Sequence, residues 1–112
     1  MVDVAQIIPT NPEEQASVLA VLREHPQLRE FIQRAIQKAE EIFPNPRVTL
    51  DAVRYEEYDP PVRLQFLVTE PLMSFDQHYS DYVKWLVQTS HVSKQLIQIL
   101  PLWKRPTYPT RP

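Results

Sequence analysis

The sequence predicts a small α+β domain, and three observations predict it. Apolar residues recur at three- and four-residue steps through two N-terminal segments and again over about 74–88, the spacing of amphipathic helices. Two other segments, about 48–57 and 62–69, alternate apolar and polar side chains on either side of Pro60–Pro61, as an antiparallel β-hairpin does. The length of 112 residues and the 43% apolar content suit one core. Residues 1–103 are expected to form that single domain, and 104–112 a Pro-rich basic tail that is extended or disordered.

The first helix opens at "TNPEEQASVLAVLRE". Asn11 suits the N-cap, Pro12 the first helical position, and Val18, Leu19, Val21 and Leu22 the inner side. Pro26 interrupts the pattern and makes His25 a boundary residue. The second helix carries Leu28, Phe31, Ile32, Ala35, Ile36, Ala39, Ile42 and Phe43 at helical steps, and "FPNPR" stops it.

In "VRLQFLVTE", Val62, Leu64, Phe66 and Val68 point one way and Arg63, Gln65 and Thr69 the other. Its partner starts with Val48, Leu50 and Ala52 on one face, then slips phase at Val53, which a β-bulge would absorb. "YDPP" reads as a wide, stiff hairpin tip that either only connects or displays Tyr58 for recognition.

The third helix is expected at about 74–88, with Ser74 as N-cap, Gln77 in the capping-box position, and Phe75, Tyr79, Tyr82, Val83 and Leu86 as its core stripe. Trp85 lies off the centre of that stripe. "HVSKQLIQILP" fits a short C-terminal helix, although Ile97 and Ile99 also fit a buried strand. Two strands make a poor sheet, so a third is expected from 95–100 or 2–8, or from pairing across a homodimer.

Composition excludes several chemistries. Zero glycine removes the usual phosphate loops, the dinucleotide fingerprint and the nucleophile elbow. Zero cysteine removes disulfides and thiolate catalysis. No apolar run reaches the length of a membrane span, and the N-terminus does not read as a signal peptide, which leaves the cytoplasm as the expected location. Seven basic residues stand against fourteen acidic ones up to Asp81, and five basic with no acidic residue follow it. That asymmetry fits a surface for an acidic partner, while the overall pI of about 5.9 argues against nucleic acid.

Few residues invite chemistry. Ser74, His78 and Asp81 share a helical face, yet a triad also needs oxyanion donors and a pocket, and neighbours on one helix rarely converge on one atom. His78 and Asp81 remain as polar-site candidates, without a second cluster to complete a metal site. Glu56, Glu57 and Asp59 are split by strand alternation. Tyr58, Trp85, Trp103 and Tyr108 are residue types that anchor protein interfaces, and Lys104 and Arg105 add positive charge beside Trp103. The expectation is a non-enzymatic accessory or regulatory protein that acts through protein–protein contacts and needs no cofactor. The alternative is a small-molecule binder or small enzyme with a pocket between the third helix and the sheet.

Overall fold

The computed structural model describes residues 3–52, 61–89 and 97–106. The elements are α1 (Val4–Ile7), α2 (Pro12–Glu24), α3 (Pro26–Ile42), β1 (Arg47–Asp51), β2 (Val62–Thr69), α4 (Leu72–Thr89) and β3 (Ile97–Lys104). The α+β expectation stands: helices pack on a three-stranded mixed sheet of order β1-β2-β3.

Local chemistry explains the helix starts. Asn11 accepts from the Glu13 and Glu14 N–H groups at 3.0 and 3.3 Å, and Pro12 supplies the helical φ in a position whose N–H would have no partner. α3 begins at Pro26 on the same logic. Residues near 2–8, expected as a possible strand, instead form the helical turn α1. Asp3 caps Ala5, and Gln6 reaches back to the Asp3 N–H at 2.8 Å, a capping box that closes the turn. Where glycine would often end a helix, Asn45 takes the left-handed conformation (φ 43°) between Pro44 and Pro46, turning the chain from α3 into β1.

The sheet departs from a simple hairpin. β1 pairs antiparallel with β2 from Arg47↔Leu67 to Asp51↔Arg63 without a break. Val53 of the bulge expected near Ala52–Val53, and the tip residues Tyr58, Asp59 and Pro60, lie outside the described residues. β3 pairs parallel with β2 from Val62↔Ile97 to Thr69↔Lys104. Residues 97–100 are therefore the third strand expected from 95–100 and not a short helix, and the strand runs on through Leu102, Trp103 and Lys104, the last of which belongs to the expected tail. A parallel pair needs a long crossover, and α4 supplies it. Local periodicity cannot reveal this, because β3's hydrogen-bonding partner lies more than thirty positions upstream.

One face of β2 is sealed and the other is not. Val62, Leu64, Phe66 and Val68 are fully buried, whereas Arg63, Gln65 and Leu67 are half-buried and Thr69 exposed. On the less buried face Arg63 grips Asp51 with two bonds of 3.1 and 2.9 Å across the β1–β2 register. The sealed face meets α3 and α4. Tyr82 of α4 packs its ring on Phe43 and Phe66 at 5.5 and 5.6 Å, and its hydroxyl donates to the Ala35 carbonyl of α3 at 2.9 Å. Burial, by withholding water from the phenolate, raises the Tyr82 hydroxyl well above its ordinary value of 10.0.

That shift makes a signed prediction. Tyr82 holds its proton more tightly folded than unfolded, so its contribution is complete below pH about 10 and is lost as pH rises beyond it. Between pH 10 and 11 the wild-type protein should lose about 1 kcal/mol more stability than Tyr82→Phe in urea unfolding. Parallel losses in the two proteins would show that the hydroxyl is not held this way.

Candidate functional site

Glu70, His78 and Trp103 come together where β2 turns into α4, beside the end of β3. In open sheets, the carboxyl ends of parallel strands are where ligands and partners commonly meet the fold. Thr69 and Lys104 are register partners at those ends.

Glu70 follows β2 directly and is only 6% exposed. Its two carboxylate oxygens lie 2.8 and 3.0 Å from Nδ1 of His78. Both Glu70 oxygens face Nδ1, which leaves Nε2 on the far side of the ring. The His78 ring also stands edge-on to Phe43, with centroids 6.1 Å apart. The Glu70 backbone carbonyl accepts from the Trp103 indole N–H at 2.7 Å. One residue thus ties α4 through its side chain and β3 through its backbone. The alternation Val62, Leu64, Phe66, Val68 extends in phase to Glu70, and that inward phase was the sequence signal that could have identified it.

The residues singled out from the sequence fare differently. His78 pairs with Glu70, while Asp81 is exposed and accepts from Gln77 at 3.2 Å, so His78 and Asp81 are not joined. Ser74 is neither cap nor nucleophile partner but an exposed residue inside α4. The helix starts at Leu72, because Pro71 presets the chain and its carbonyl takes the Phe75 N–H at 3.0 Å; Gln77, bonded to Asp81, does not close a capping box. Trp85 is half-buried against the core, its ring 5.7 Å from Tyr82. Trp103 is 37% exposed, and Lys104 and Arg105 beside it are exposed. Tyr58 and Tyr108 lie outside the described residues.

Sequence reasoning also missed three exposed apolar residues in the elements that flank Glu70. Leu72 and Met73, brought into the first turn of α4 by its early start, are 50% and 87% exposed, and Leu102 is 39% exposed. Between α4 and the sheet, where a pocket was the alternative expectation, the rings of Phe43, Phe66, Phe75 and Tyr82 pack at 5.5–5.9 Å. Among the described residues no three His, Cys, Asp or Glu side chains gather as a metal site would require. No described helix is long and apolar enough to cross a membrane. No known protein family, curated protein or solved structure matches the chain.

The pairing of Glu70 predicts the effect of breaking it. His78→Ala strips the buried carboxylate of its described side-chain partner and should cost about 1–3 kcal/mol in urea unfolding at neutral pH. Adding Glu70→Gln should recover part of that loss, since the amide carries no charge to strand. Equal stability of wild type and His78→Ala would mean that the pair carries no load.

Proposed function

We propose that this protein is a non-enzymatic accessory or regulatory module that binds a protein partner at the β2–α4 corner. Trp103 is the anchor, the exposed Leu72 and Met73 at the start of α4 offer apolar surface at the same corner, and Lys104 and Arg105 add positive charge next to it in sequence. The observation that carries this reading is the tether on Trp103. Its indole N–H is held by the Glu70 carbonyl while more than a third of the residue stays exposed. A large aromatic fixed before contact loses little entropy on binding, and tryptophan leads the residue types that dominate interface energies. The excess of basic residues after Asp81 favours an acidic partner surface.

A second reading draws on a different observation. An imidazole oriented by a buried carboxylate is the geometry of a general base, so a small enzyme acting through His78 Nε2 is the competing function. Among the described residues no nucleophile is bonded to His78, and Ser74 and Asp81 are both exposed.

The two separate by mutation. Capture from a native lysate should yield a partner that binds wild type and His78→Gln comparably and Trp103→Ala about 30-fold more weakly, the scale of a hot-spot tryptophan. Binding to wild type should weaken as salt is raised. Undiminished capture by folded Trp103→Ala would defeat the interaction reading.

A further inference from the structure

A second feature lies among the N-terminal helices. α2 spends only part of its apolar side on the core: Val18 and Leu22 are buried, while Leu19 is half-buried. Leu19 and Leu22, with Ala5 and Ile8 from the first turn of the chain, line a cleft of about 440 Å³. That volume falls in the range of about 300–1,000 Å³ typical of small-molecule sites. Gln15, Arg23 and Arg29 supply its polar lining.

The two arginines give the cleft its sign. Arg23 sits in the last turn of α2 and Arg29 in the first turn of α3, on either side of the His25–Pro26 elbow. Both are exposed, and neither has an ion-pair partner among the described residues. That holds although the chain up to Asp81 carries fourteen acidic residues and only seven basic ones. Glu24 and Glu30, their neighbours in sequence, do not line the cleft. A guanidinium is a weakly hydrated planar fork that matches a carboxylate with two parallel bonds. Apolar walls with two free guanidinium groups therefore select a ligand that is apolar along its body and anionic at one end.

We infer that the α1–α2–α3 cleft binds a small amphiphilic carboxylate, with its head between Arg23 and Arg29, its body against Ala5, Ile8, Leu19 and Leu22, and Gln15 offering a further hydrogen bond. The site is separate from the Trp103 corner and does not depend on the function proposed for it.

The test is a titration of isotope-labelled protein with sodium decanoate below its micelle concentration, followed by amide and arginine side-chain resonances. The expected result is saturable shifts at Ala5, Ile8, Leu19 and Leu22 and at both arginines, with a dissociation constant below about 1 mM. The double variant Arg23→Gln/Arg29→Gln should bind about ten-fold more weakly or worse, and decanol should bind wild type with the same deficit. Both arginines are exposed, and far-UV dichroism verifies the fold; if the double variant is unfolded, each single variant should show part of the loss. Equal binding by the variants or by decanol would overturn the assignment, as would absent or scattered shifts. Shifts at these residues that depend on protein concentration alone would give the cleft to a second copy of the chain. Shifts produced by an acidic peptide but not by decanoate would give it to a protein partner. Either outcome overturns the proposal.

Discussion

On the sealed side of the sheet, Tyr82 is where α3, α4 and β2 are joined. Its hydroxyl is buried, and a buried hydroxyl without a partner is costly, so the Ala35 carbonyl fixes where α4 lies against α3. Its ring meets Phe43, Phe66 and Trp85 within 5.5–5.7 Å, which adds the end of α3, the middle of β2 and the next turn of α4 to the same junction. α4 is also the crossover between two parallel strands. Fixing α4 therefore delivers the chain to the side of β2 on which β3 pairs, and that pairing carries Trp103 to the carbonyl of Glu70. The displayed tryptophan is a consequence of the buried tyrosine.

A chain without glycine builds its corners from other residues. Proline does most of this, as the first helical residue of α2 and α3 and as the residue just ahead of α4. Asparagine does the rest. Asn11 caps α2, and Asn45 adopts the one positive φ among the described residues, a conformation that asparagine tolerates better than other residues with a Cβ. These devices restrict the unfolded chain more than glycine would, so stiffness at the corners contributes to stability as well as to shape.

How much of this the sequence disclosed follows from how local each interaction is. α2, α3 and β2 were legible nearly to the residue, since Asn11–Pro12, Pro26 and the strict alternation of 62–69 are local signals. β3 was ambiguous because Ile97 and Ile99 suit either period, and the choice belongs to β2, a partner distant in sequence. α4 began early because Pro71 outweighed Ser74 as a start signal. Trp85 lies off the centre of the stripe in sequence, yet it comes three residues after Tyr82 and leans on its ring. Within the candidate site, Trp103 was recognisable by type, but its tether was not, since the acceptor is a backbone carbonyl that belongs to no side-chain motif. The His78–Glu70 pair was likewise missed, because helical spacing drew attention to Asp81 while the actual partner stands before the helix.

The central claim is that Tyr82 holds the crossover in place by both its ring and its hydroxyl. The most direct measurement is urea unfolding of Tyr82→Phe and Tyr82→Ala at neutral pH. Removing only the hydroxyl should cost about 0.5–1.5 kcal/mol, the net worth of one hydrogen bond. Removing the ring as well should cost about 3–5 kcal/mol, a large share of the whole stability of a domain this size. A Tyr82→Ala protein within about 1 kcal/mol of wild type would contradict the account, because a residue so easily dispensed with cannot be what docks α4.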